Sequence, residues 1–201
     1  MSDKIFPVPK KSNLVPLISE EKYSELYRFS IDNPKEFWGE QALSRLNWIK
    51  PFDDVLSTTM EKAEFEWFSN GKLNACFNCV DKHLENNGND IAFIWESDDG
   101  STSKKITYKE LYEEVCRLSN LLKSRGIKKG DRVCIYMPMI LEAIYSMLAC
   151  ARIGAVHSVV FGGFSVESLK DRILDSDCQT IITANEGLRG GKKVPLKNNV
   201  D

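Results

Sequence analysis

The sequence predicts an α/β chain. We expect a partial, doubly wound, mainly parallel sheet with helices on both faces, preceded by an aromatic-rich helical N-terminal region. Two observations carry this. Beyond about residue 90, short apolar runs alternate with longer stretches of helical period, joined by short connections. Continuous apolar strands alternating with helices are what a parallel sheet covered on both faces requires. Before about residue 85 that alternation is missing, and Trp38, Trp48, Trp67 and Phe68 crowd a region of irregular period. So many large rings do not suit a free linker, and the segment is expected to pack on the rest of the protein. The chain is therefore divided into 1–85 and 86–201.

The elements follow in order. Ser19, ahead of Glu20, Glu21 and Lys22, marks the start of a first helix, and Asn33-Pro34 starts a second with proline in its first turn, ended by Pro51. "IAFIWES" reads as a strand, "DDGST" as a turn and "KKITY" as a further strand. Thr107-x-x-Glu110 is a capping box for a helix that runs to Arg125; Leu111, Val115, Leu118 and Leu122 line one face and Gly126 stops it. "RVCIYMP" (132–138) is an apolar strand closed by proline. "ILEAIYSMLACARIGA" is apolar on nearly every face and reads as a buried helix. "VHSVVF" (156–161), a helix capped by Ser165, and "QTIITA" (179–184) complete the series.

Composition sets bounds. The 201 residues are 42% hydrophobic and 28% charged with a net charge of −2, so no global field draws the chain to nucleic acid or anionic lipid, and any anion site must be local. No apolar run approaches the ~20 residues that span a bilayer, and the first residues lack a signal-peptide core. Six cysteines without framework spacing suit a reducing, cytoplasmic setting. Cys76-x-x-Cys79 followed by His83 invites a zinc or redox reading. The only other histidine is the distant His157, and a structural zinc needs four ligands; buried or half-buried thiols on an amphipathic helix are expected instead, with no metal site and no catalytic residue.

In open parallel sheets ligands bind beyond the carboxyl ends of the strands, and two loops there carry unusual chemistry. Phe161-Gly162-Gly163-Phe164-Ser165 lets a ligand approach the backbone beside a helix start; the plain alternative is a tight turn that needs positive φ. In Glu186-Gly187-Leu188-Arg189-Gly190-Gly191-Lys192-Lys193, glycines clear space for Arg189 and Lys192 to present a planar fork and a point charge to one phosphate. A solvated basic turn is the alternative. Neither a Walker loop nor G-x-G-x-x-G is present.

These residues also carry a family resemblance. The run from "YKELYEEVCRLSNLLKSRG" through "MLACARIGAVHSVVFGGFSVESLKDRI" resembles the start of the adenylate-forming domain of acyl-CoA synthetases. "WFSNGKLNACFNCVDKHL", "IAFIWESDD", "IYMPM" and "ITANEGLRGGKKVPLKNNVD" resemble the AMP-forming acetate–CoA ligases among them. The likeness runs from about Tyr27 to Asp201. It implies an enzyme that joins acetate to ATP as an acetyl-adenylate and passes the acetyl group to coenzyme A. By the same likeness Arg189 and Lys192, on the loop with Gly190 and Gly191, would hold the 3′-phosphate region of coenzyme A, and Phe161, Gly162 and Gly163 would lie against its adenine. Lys192, where some members carry arginine, keeps the charge and loses the bidentate fork.

The resemblance further implies that the ATP-phosphate loop, the acetate pocket, the ligands of the accompanying Mg2+ and the mobile C-terminal domain lie after position 201. Asp201 is thus expected to interrupt a longer protein, and this chain alone to be inactive. The partners implied are the small molecules acetate, ATP and coenzyme A. A non-catalytic module that binds coenzyme A or nucleotides, and part of a propionyl-CoA synthetase, are the alternatives.

Overall fold

The structure, a computed structural model, describes residues 17–201. They fall into two units: the chain up to Leu46 together with Phe52–Asn70, and Asn47–Pro51 together with Gly71–Asp201. Among the described residues no helix is long and apolar enough to cross a membrane.

The first unit begins with helix α1 (Glu20–Asp32), whose N-cap Ser19 accepts the Lys22 amide at 3.2 Å. Helix α2 (Pro34–Arg45) follows with proline in its first turn, as expected. It ends at Arg45, well short of Pro51. The reason is that the next residues find better partners: Ile49 and Lys50 donate their amides to Lys72 O at 2.7 and 3.0 Å, so this stretch is bridged to another segment rather than wound. Strands β1 (Asp54–Thr59) and β2 (Glu64–Ser69) then form an antiparallel hairpin, with Leu56 opposite Trp67. The sequence predicts only helices here. The alternation Glu64-Phe65-Glu66-Trp67 was the available signal, but the connecting turn uses Ala63 at φ 54° instead of a glycine. The aromatic residues pack largely on one another: Phe37 lies edge-on to both Phe29 and Trp38, and Trp38 is edge-on to Trp67.

The second unit opens with two short helices, α3 (Ala75–Cys79) and α4 (Leu84–Asn87). Cys76 is fully buried, whereas Cys79 is exposed, not buried or half-buried as expected. Strands β3 (Ile91–Glu96) and β4 (Ser103–Thr107) form an antiparallel hairpin. Helix α5 (Tyr108–Ser124) starts at the expected capping box: Thr107 Oγ1 accepts the Glu110 amide at 3.2 Å and the Glu110 carboxylate accepts the Thr107 amide at 2.8 Å. Strand β5 (Arg132–Met137), helix α6 (Leu141–Ile153), strand β6 (Val156–Phe161), helix α7 (Val166–Ser176) and strand β7 (Thr180–Thr183) follow. Last come β8 (Gly187–Arg189), β9 (Lys192–Val194) and helix α8 (Leu196–Val200).

β5, β6 and β7 form a parallel sheet in the order β6-β5-β7. β4, expected as the first strand of this series, instead pairs, among the described residues, only with β3. Its charged Lys104 and Lys105 suit a hairpin with a wet face better than a strand covered on both sides. β5, at the centre, is buried on both faces. Val133 joins a core with Leu111, Val115 and Leu122 of α5 and Tyr145, Ala149 and Cys150 of α6. Cys134 and Tyr136 join the opposite core with Val160, Leu169 of α7 and Leu196 of α8. The chain thus crosses from β6 back over β5 to β7, with α5 and α6 on one face and α7 and α8 on the other, which is the doubly wound arrangement.

α6 is anchored to α3 by polar contacts near its end. Asn74 caps α3 by accepting the Phe77 amide at 3.0 Å, and its Nδ2 donates to Ala151 O and Arg152 O, each at 3.1 Å. Arg152 in turn forms a bidentate pair with Asp81 at 3.0 and 2.6 Å.

Candidate functional site

The parallel order β6-β5-β7 brings three connections to one end of the sheet: Pro138-Met139-Ile140 after β5, Phe161–Ser165 after β6, and the segment after β7 that leads into β8. Each is fixed from below. Tyr136 is fully buried; its hydroxyl donates to Phe164 O at 3.2 Å and accepts from Asn199 Nδ2 at 3.0 Å, so one side chain ties the β6 loop to α8. Gly162 lies where a Cβ would stand 3.3 Å from Met137 O. Gly187 is buried against Pro138, where a Cβ would meet the ring at 2.6 Å, and only glycine allows that approach.

The basic loop is a β-hairpin. Arg189 stands opposite Lys192 in the register of β8 and β9, and Gly190 and Gly191 turn the chain with φ of 55° and 73°. Two consecutive positive φ values are what a tight two-residue hairpin demands. Directly opposed residues in an antiparallel pair share a face, and side chains alternate along each strand. Gly187, Arg189, Lys192 and Val194 therefore face one way, Leu188 and Lys193 the other. The first face is the inner one, since Gly187 meets Pro138 and Leu196 and Val194 packs into the core beside Leu196.

That alternation decides which cations are available. Lys193, on the outer face, is paired with Glu186 at 2.6 Å. Arg189, on the inner face, lays its guanidinium over Phe161, with 4.7 Å from its central carbon to the ring centroid. A Cβ on Gly163 would stand 2.1 Å from Arg189 Nη1, so the missing side chain is what admits the guanidinium. Among the described residues neither Arg189 nor Lys192 is paired with a carboxylate. Phe161 is half-exposed, stands edge-on to Phe164, and Arg172 covers the Phe164 ring at 4.5 Å.

The arrangement thus joins two cations to an aromatic and glycine shelf at the carboxyl end of a parallel sheet. All seven residues singled out in the sequence, Phe161, Gly162, Gly163, Arg189, Gly190, Gly191 and Lys192, lie on the β6 loop or the adjoining hairpin. Such a site can offer a phosphate two positive charges and a planar ring system an aromatic neighbour. Sequence reasoning missed the acid beneath the hairpin. Asp98 Oδ1 and Oδ2 accept the amides of Gly190 and Gly191 at 3.2 and 2.9 Å. "WESDDGST" marked a turn but not its partner. Among the described residues no three His, Cys, Asp or Glu side chains gather into a metal site.

Residues 80–200 match the family model described as AMP-binding enzyme, which covers more than half of the chain. The chain belongs to the AMP-binding enzyme family. Residues 23–79 match a second model, the acetyl-coenzyme A synthetase N-terminus, so the two matches meet end to end. Among curated relatives of this AMP-binding chain, acetyl-coenzyme A synthetase 2 of Pseudomonas aeruginosa is 58% identical over 98% of the chain and 30% of the relative. Acetyl-coenzyme A synthetases of Alkalilimnicola ehrlichii and Magnetococcus marinus are 55% and 53% identical over the whole chain and 31% of their own lengths. The chain therefore spans a little under a third of the length of these relatives.

Proposed function

We propose that this chain supplies part of the coenzyme A site of an acetate–CoA ligase. In that enzyme acetate attacks the α-phosphorus of ATP, pyrophosphate leaves, and the thiol of coenzyme A then displaces AMP from the acetyl-adenylate. The observation that carries the reading is the unpaired Arg189 and Lys192 on one hairpin face, with the Arg189 guanidinium over Phe161. Arg189 and Lys192 meet the 3′-phosphate region. Phe161, Gly162 and Gly163 form the shelf for the adenine, where the absence of side chains at the glycines leaves the backbone approachable. The names of the relatives support acetate as the acyl substrate. Residues 1–85 form the N-terminal region and 86–201 the first part of the adenylate-forming domain. None of the catalytic steps is assigned to a residue of this chain; its part is binding, and ATP and Mg2+ are held elsewhere in the enzyme.

The test is calorimetry on the protein as its gene encodes it, titrated with coenzyme A and with dephospho-coenzyme A. A charge-assisted hydrogen bond contributes about 1.5–3 kcal/mol. Arg189→Ala is therefore expected to weaken coenzyme A by at least tenfold and to leave the dephospho form nearly unchanged. Equal losses for both ligands would sink the assignment of Arg189 to the 3′-phosphate.

A further inference from the structure

We infer that Asp98 is a positioning residue for this site: its carboxylate holds the hairpin tip by both glycine amides, so that Arg189 and Lys192 are presented to the anion. The inference rests on the coenzyme A reading above and adds a residue that neither loop contains.

The geometry begins one residue further on. Asp99 Oδ1 accepts the Ser97 hydroxyl at 2.7 Å, the Ser101 amide at 3.0 Å and the Ser101 hydroxyl at 2.8 Å, and Ser97 Oγ accepts the Thr102 amide at 3.0 Å. This closes the β3–β4 turn on itself and leaves the neighbouring Asp98 carboxylate free to reach outward. It reaches the two glycine amides at the tip of the β8–β9 hairpin, one oxygen to each. The same β3–β4 hairpin holds the β5 loop, since Trp95 Nε1 donates to Met139 O at 2.8 Å. One hairpin therefore braces two of the connections that frame the site.

The chemistry explains why an acid belongs there. A tip of two consecutive glycines with positive φ exposes adjacent amides, and such concave amide pairs attract anions. Left open, the tip would compete with the Arg189 and Lys192 side chains for the phosphate and would move as a two-glycine turn does. With Asp98 in place both amides are satisfied, so the incoming anion is left to the Arg189 and Lys192 side chains.

Losing that carboxylate has two opposed effects. Removing one negative charge about 10 Å from a phosphate in water strengthens anion binding only about twofold. Freeing the hairpin removes two charge-assisted hydrogen bonds, each worth roughly tenfold or more in the opening equilibrium. The positional effect wins. Asn removes the same charge but keeps one acceptor oxygen, which separates the two.

The experiment compares Asp98→Ala, Asp98→Asn and Arg189→Ala in the protein as its gene encodes it, by amide hydrogen exchange at Gly190 and Gly191 and by coenzyme A titration. Asp98→Ala is expected to speed exchange at both amides about tenfold or more and to weaken coenzyme A about three- to tenfold. Asp98→Asn is expected to restore protection at one of the two amides and to recover part of the affinity. Unchanged exchange at both amides in Asp98→Ala, or unchanged coenzyme A affinity in a protein where Arg189→Ala does weaken it, overturns the positioning role. Exchange that depends on Asp98 in a protein whose coenzyme A affinity is indifferent to Arg189→Ala overturns the coenzyme A reading instead, and leaves the brace standing.

Discussion

Arg189 reaches across from its hairpin to cover Phe161 at 4.7 Å, and Gly163 is the vacancy that lets it do so. The contact joins two loops that leave different strands of the parallel sheet. It makes a cation on one loop dependent on a missing methyl on the other.

The first consequence concerns Gly163→Ala. The added Cβ would stand 2.1 Å from Arg189 Nη1 and 2.8 Å from Phe161 Cε1. The guanidinium is the flexible end of a long side chain, so it moves and the backbone does not. We expect stability to change by less than about 1 kcal/mol, read as thermal midpoint, while coenzyme A affinity falls several-fold. A variant that unfolds, or that binds normally, contradicts the contact.

Asn74 joins two helix ends at once. Asn74→Ala removes the cap of α3 and the donor to Ala151 O and Arg152 O, and an expected loss of about 1–3 kcal/mol follows from the two together. Asn74→Asp keeps the cap acceptor but sets a negative charge against the carbonyl end of α6. It should be no more stable than Ala in a urea titration. A fully stable Asp variant would reduce the contact to a simple cap.

The thiols should divide by position. Burial pushes Cys76, Cys134 and Cys150 up to about 11, while Cys79 is exposed. The thiolate is the reactive form, so alkylation of the native protein near pH 8, followed by mass spectrometry, should label Cys79 and spare these three. Rapid labelling of Cys76 alongside Cys79 would revive a paired, reactive reading of Cys76-x-x-Cys79.

Asp99 should titrate low. Hydrogen bonds from the Ser97 hydroxyl and from the Ser101 amide and hydroxyl hold its carboxyl down to about 2, against an ordinary value of 3.8. A depressed folded value means that its contribution to the β3–β4 turn is fully present above about pH 4 and is lost as pH falls toward 2. Carbon-13 carboxyl shifts would show a midpoint near 2; a midpoint near 3.8 would mean that the turn does not close as described.

Much of this was readable in the chain. The capping box of Thr107 and Glu110, the Ser19 and Ser165 caps and the glycine after α5 are local devices, and they work in place because each bond closes within one turn. The candidate residues were readable as two short runs for the same reason, since glycines and cations close together announce what they permit. What failed to show was any element whose signal lay elsewhere. The β1–β2 turn lacked a glycine, and the extension of α2 toward Pro51 was cancelled by Lys72. Asp98 meets its glycine partners across 92 and 93 residues of sequence.

By itself, then, the amino-acid order settled where the strands and helices between residues 91 and 183 lie, and it nominated side chains for an anion, because period and capping are properties of neighbouring residues. The tertiary structure alone decided that β5 sits between β6 and β7 and that Asp98 holds the two amides of the hairpin tip. Those outcomes depend on which faces are buried and which distant groups satisfy one another, and such non-local balances leave no mark in any short stretch of sequence.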